Sequence, residues 1–117
     1  MTDTILEQAR SIVDVLDEKK GENILLLDLR ETCSFTDFFI LCDGISQRTL
    51  GALSDDVQRA MKTRYKVRAQ GVEGEKESGW ILLDYGDIIL HLFSAEMREY
   101  YRLEDLWEEG KVILRLS

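Results

Sequence analysis

The sequence has no proline, a single histidine and only two cysteines in 117 residues. Without proline, and without a low-complexity tract or internal repeat, nothing marks a linker between domains. Cys33 and Cys42 lack CxxC spacing, so neither a disulfide framework nor a structural zinc site is supported, and reduced thiols in a cytoplasmic protein are expected. Cations are short as well: 15 Lys and Arg against 23 Asp and Glu give a net charge of -8. That balance excludes a dominant footprint on nucleic-acid phosphates and favours a basic protein, a small ligand or a cation as partner. Runs such as "ILLL" and "DIILHLF" fall far below the roughly 20 apolar residues of a membrane helix, and the N-terminus has no signal-peptide core, so a soluble, unprocessed chain is expected.

What is present suits one core. A hydrophobic content of 44% in a chain of this size predicts a single domain over residues 1–117, burying roughly two thirds of its unfolded surface. Ile5, Leu6, Ala9, Ile12, Val13 and Leu16 recur at helical spacing between a Thr2 or Asp3 cap and a Gly21 stop. "NILLLDL" (23–29) and "FFILC" (38–42) read as buried strands, with Asp28 interrupting the first. Ser46 caps a second helix with Leu50, Leu53, Val57, Ala60 and Met61 inward and Asp55, Asp56 and Arg59 outward. "YKVRA" (65–69) reads as an edge strand, 70–79 as a glycine-bearing loop and 80–93 as a hairpin. A last helical stretch runs from near Ser94 to Gly110, and the tail "KVILRLS" either adds a strand or docks on the body. The sum is an α+β fold: a two-layer mixed β-sheet packed with helices, concentrated on one face.

The hairpin "GWILLDYGDIILHLF" carries the most chemistry, since two aspartates, a tryptophan and the histidine share fifteen residues. With the turn at Tyr85 and Gly86, or over the Asp84–Asp87 quartet, Trp80 faces His91 and Leu83 faces Ile88. Alternation puts Ile81, Leu83, Ile88, Leu90 and Leu92 on a core face and Trp80, Leu82, Asp84, Asp87, Ile89, His91 and Phe93 on a mixed one. At about 3.3 Å per residue, Asp87 and His91 stand roughly 13 Å apart on an unbroken strand, too far to ligate one ion. Asp84 and Asp87 read first as turn-favouring residues, with a close pair relieved by water, donors or a cation as the rival; His91 reads as a structural neighbour of Trp80 ahead of a catalytic group, and Trp80 as either a second core or an interface anchor.

Elsewhere, "CDGISQR" invites a phosphate cradle of Gly44, Ser46 and Arg48, though Ser46 as a plain helix cap is the simpler reading. Lys62, Arg64, Lys66 and Arg68 alternate in an otherwise acidic chain; a charge-guarded edge strand accounts for them without a ligand, and an RNA contact is the rival. Cys33 and Cys42 have no activating base nearby and are expected to be inert.

"TDFFILCDGIS" (36–46), "GVEGE" (71–75), "GWILLDYGDIILHLF" (79–93) and "YYRLEDLW" (100–107), in this order and spacing, closely resemble the Iojap or ribosomal silencing factor family over nearly the whole chain. The resemblance implies a factor that binds the large ribosomal subunit through ribosomal protein number fourteen and sterically blocks the small subunit, lowering translation when nutrients are short. Organellar relatives assist large-subunit assembly. It also implies a nucleotidyltransferase-like fold without the catalytic motif: Gly44, Ile45 and Ser46 match the Gly-Ser turn, but no usable Asp-x-Asp follows. On this resemblance Trp80, Leu82, Asp84, Tyr85, Gly86 and Asp87 are the expected partner-binding residues, and Arg64, Lys66 and Arg68 the candidate peripheral rRNA contact. No catalytic residue, metal ligand, cofactor or membrane contact is expected, and the state is a monomer or weak homodimer. The rivals are a large-subunit assembly factor with rRNA contacts and a metal-dependent nucleotidyltransferase-like enzyme using Asp28, Asp84 or Asp87.

Overall fold

Apolar residues at three- and four-residue spacing form the first helix, α1 (Thr4–Glu18), which buries Ala9, Ile12, Val13, Val15 and Leu16. The computed structural model describes residues 4–31, 35–101 and 111–116. The predicted caps Thr2 and Asp3, Cys33, and the expected helical stretch beyond Tyr101 lie outside the described residues. After α1 the chain turns through Lys20, at φ 69°, and Gly21, whose amide donates to the Leu16 carbonyl at 2.7 Å.

Two short apolar runs follow as β1 (Glu22–Asp28) and β2 (Phe38–Gly44), paired antiparallel. The second helix, α2 (Gln47–Tyr65), starts where Ser46 accepts from the Thr49 amide at 3.1 Å. Gly44 is needed for close packing there, because a Cβ would stand 2.8 Å from the Leu50 side chain. Ser46 is thus a helix cap and Gly44 a packing residue. Leu50, Leu53, Val57 and Met61 form the buried stripe, with Ala60 at its edge. The helix closes with Lys66 in the left-handed region at φ 59°, its amide donating to the Lys62 carbonyl at 3.1 Å.

The structure departs from the sequence reading at this point. Residues 66–69 are irregular, and the edge strand is β3 (Gly71–Glu75), inside the segment read as a loop. A 3-10 turn (Lys76–Ser78) leads to β4 (Trp80–Asp84) and β5 (Ile88–Ser94), then α3 (Ala95–Tyr101) and β6 (Lys111–Leu116). The tail therefore adds a strand. The sheet order is β3-β4-β5-β2-β1-β6, antiparallel throughout except for the parallel β2–β5 pair at its centre.

Alternation splits the sheet into two apolar faces. One carries Ile24, Leu26, Phe38, Ile40, Ile81, Leu83, Leu90 and Leu92 against α1 and α2. The other carries Leu25, Leu27, Phe39, Leu41 and Phe93, with Trp80, Ile89 and Met97 of α3 packed against them. Helices α1 and α2 share one face as expected, whereas α3 serves the other. A buried ion pair ties α3 down: Arg98 donates to Asp43 Oδ1 and to the Asn23 carbonyl, both at 2.8 Å, and Asn23 Nδ2 donates to Asp43 Oδ2 at 2.9 Å. No described helix is long and apolar enough to cross a membrane.

Candidate docking face

The mixed face of the β4–β5 hairpin is built around an aromatic stack. Trp80 donates from Nε1 to His91 Nδ1 at 3.2 Å, and the two rings lie 6.0 Å apart and 13° from parallel. Phe93 stacks on both, and Phe39 from β2 meets His91 at 5.1 Å. Accepting at Nδ1 requires the neutral imidazole to carry its proton on Nε2, which is buried with no hydrogen-bond partner among the described residues. Desolvation lowers the His91 pKa to about 4, so the ring is neutral at physiological pH. His91 is therefore a structural support that orients Trp80, which stays half-buried beside half-buried Leu82.

The pairing register differs from the predicted one. Trp80 pairs with Phe93 and Leu82 with His91, because the turn is made by Gly86 and Asp87. Gly86 takes φ 82°, and the Asp87 amide closes onto the Tyr85 carbonyl at 3.0 Å, while Tyr85 N donates to Ile88 O at 2.8 Å. A positive φ suits glycine alone among the turn residues, so it selects the turn. The shift is two residues, and the two faces keep their predicted composition.

Tyr85 is the main correction. It continues the Ile81 and Leu83 face into the helix-side core, is 7% exposed, and its hydroxyl has no hydrogen-bond partner among the described residues. Burial pushes its pKa up to about 12. Tyr85 therefore faces away from Trp80 and Leu82 and cannot extend their patch.

The aspartates sit where the turn needs them. Asp84 Oδ1 accepts from the Gly86 amide at 2.7 Å, and the Asp87 carbonyl accepts from the Asp37 and Phe38 amides, each at 3.0 Å. The hairpin tip is thereby fixed to the start of β2, with the Asp87 side chain exposed. Strand β3 adds a residue that sequence reasoning missed: Glu73 pairs with Leu82, and paired residues share a face. Glu73 and Asp84 thus border Trp80 and Leu82, an apolar centre with an acidic rim, and Asp87 lies exposed at the hairpin tip. The signal available was the alternation of "GVEGE" itself, hidden by its two glycines.

The cationic residues lie elsewhere. Arg64 reaches back to α1, donating to Ser11 Oγ at 2.7 Å. Lys66 is the left-handed cap of α2, and Arg68 follows in the irregular segment. The charge-guarded edge strand is replaced by a helix end.

Asp28 is held by Arg30, which donates from Nη2 to Oδ2 at 2.7 Å and from Nε to Oδ1 at 3.0 Å, and that hydrogen bonding keeps its pKa below the usual carboxylate value. Among the described residues, no three His, Cys, Asp or Glu side chains are grouped so as to hold a metal. Cys42 is buried, and desolvation raises its pKa to about 12, which leaves a thiol without nucleophilic character. What the arrangement presents is a half-buried apolar patch supported by an aromatic stack and edged by carboxylates.

Comparison with known proteins gives that surface a context. The family model described as ribosomal silencing factor during starvation matches residues 2–116. A ribosomal silencing factor of Haemophilus influenzae is 35% identical over 96 residues, covering 82% of this chain and 93% of that protein. The mouse protein named for mitochondrial assembly of the ribosomal large subunit is 29% identical over 99 residues, 82% of this chain and 43% of its own length. A crystal structure of a protein from Chromobacterium violaceum superposes with a TM-score of 0.84 at 33% identity, covering 89% of this chain and 86% of that one.

Proposed function

The chain belongs to the ribosomal silencing factor family, and on that premise we propose that it represses translation by binding the large ribosomal subunit and sterically blocking the small one. The proposed contact is ribosomal protein number fourteen, gripped by the mixed hairpin face, in the cytoplasm and under nutrient limitation. The observation that carries this reading is the pairing of half-buried Trp80 and Leu82 with the acidic border of Glu73 and Asp84, with Asp87 exposed at the adjoining tip. Aromatic and aliphatic anchors supply the desolvated centre of an interface, and the acidic rim steers a basic partner. The stack beneath Trp80 reduces the entropy that binding must remove from it.

The test is a subunit-joining assay on sucrose gradients. Added protein should leave large and small subunits separate, and Trp80→Ala with Leu82→Ala, in a folded chain, should weaken large-subunit binding by at least about tenfold, the scale of a hot spot. Unchanged cosedimentation would remove this face from the interface. A second reading, assembly of the large subunit, is supported by the name of the mouse relative; immature large subunits accumulating in a deletion strain would distinguish it.

A further inference from the structure

Most cations with a described partner are neutralised within the fold: Arg30 pairs with Asp28, Arg59 with Asp56, Arg98 with Asp43 and Lys111 with Glu31. Lys62, Lys66 and Arg68 are among the exposed cations that, among the described residues, have no acid within ion-pair distance. Their clustering around the end of α2 sets them apart. The turn at Lys66 brings Lys62 and Arg68 to one cleft of about 290 Å³, lined also by Gln58, Ala69 and Val72. Val72 pairs with Leu83, which packs in the helix-side core, so this cleft opens on the helix side of β3. Glu73, one residue on, projects with Leu82 to the opposite face. Strand alternation thus separates a basic cleft from an acidic docking face across a single edge strand.

Complementing the α2 dipole accounts for a cation in the last turn, such as Lys62, but not for Arg68, which lies beyond the helix. Guarding an edge strand does not apply either, since residues 66–69 are not a strand. An open cleft lined by two exposed cations, Lys62 and Arg68, and by apolar Ala69 and Val72, with Lys66 exposed on the turn between them, fits a chain of phosphates better than one enclosed anion.

We propose that Lys62, Lys66 and Arg68 contact the RNA phosphodiester backbone of the large subunit, beside the protein contact made by the Trp80 face. This rests on the docking reading above and replaces Arg64, bound to Ser11, with Lys62. In a subunit, protein and adjoining rRNA would be gripped on the two sides of β3.

The test compares the full chain with the K62Q/K66Q/R68Q variant, measuring binding to purified large subunits and to isolated ribosomal protein number fourteen over a salt series. Three phosphate contacts steepen the slope of log affinity against log salt by about 2 to 3, so between about 50 and 200 mM salt the native chain should lose roughly 20- to 40-fold more affinity for subunits than the variant. Affinity for the isolated protein should be unchanged. Parallel salt dependences, or an equal loss on the isolated protein, would overturn the proposal. If Trp80→Ala and Leu82→Ala leave subunit binding intact, the docking reading fails instead, and the salt comparison still decides the basic cleft.

Discussion

Lowering the pH should destabilise this protein through one imidazole. His91 is 5% exposed, and burial holds its pKa near 4, against 6.5 in the open chain. Above pH 6.5 the ring is neutral in both states and contributes no pH dependence. As pH falls below 6.5 the unfolded chain takes up a proton that the native stack refuses, so stability declines, and the decline saturates once the native ring protonates near pH 4. The full difference corresponds to about 3 kcal/mol, of which about 2 kcal/mol is lost between about pH 7.5 and pH 5. Carboxylates titrate in the lower part of this range, so the measurement is a difference: urea unfolding of the native chain and of His91→Phe at both pH values. Phenylalanine keeps an aromatic ring in the stack but cannot titrate, and loss of the Trp80 hydrogen bond adds an offset independent of pH. The native chain should lose about 2 kcal/mol more than the variant, a midpoint shift of roughly 1 M urea or more. Equal losses in the two proteins would refute the assignment of a buried, neutral His91.

Other expectations follow from the same geometry. Tyr85→Phe removes an unpartnered buried hydroxyl, so chemical denaturation should find it neutral or stabilising, and large-subunit binding should be unchanged; Tyr85→Ala should instead cost about 3–5 kcal/mol of stability through the cavity it leaves. Arg98→Ala strands the buried Asp43 carboxylate and should destabilise by about 3–5 kcal/mol, whereas a double Arg98→Met, Asp43→Asn replacement should recover a large part of that loss in the same assay.

The helices and inner strands were legible because burial wrote a period into them. The Leu50, Leu53, Val57 and Met61 stripe and the apolar runs of β1 and β2 leave few alternatives. Both faces of the hairpin were legible for the same reason, and an error of two residues in register preserves parity. Strand β3 was not, since an edge strand that is nearly all exposed has no core to imprint a pattern, and its glycines read as loop. "KTRYKVR" misled in the opposite sense: its cations alternate across a helix end and an irregular segment, and alternation is the signature of a strand. Tyr85 was misplaced by treating the turn as starting one residue early, although extending the Ile81, Leu83 alternation would have sent it inward. The Glu73 contribution to the candidate face depends on β3 and was lost with it. The tail joined the sheet only because β1 has a free side, which no local feature of "KVILRLS" reveals.

The parallel pair at the centre of the sheet sets how the chain can fold. Strands β1 and β2 are neighbours along the sequence, and so are β3, β4 and β5; each group can zip up by local hairpin closure. The two groups meet only at β2–β5, whose connection carries α2, β3 and β4, so that seam must pay the loop-closure entropy of a long-range contact. Assembly is thus a docking of two halves, and the hydrogen bonds that the Asp37 and Phe38 amides donate to the Asp87 carbonyl sit at the end of the seam. The same hairpin whose strands carry the candidate binding surface is stitched at its tip to the other half of the protein, so a substitution that loosens the tip should slow folding as well as blur the surface.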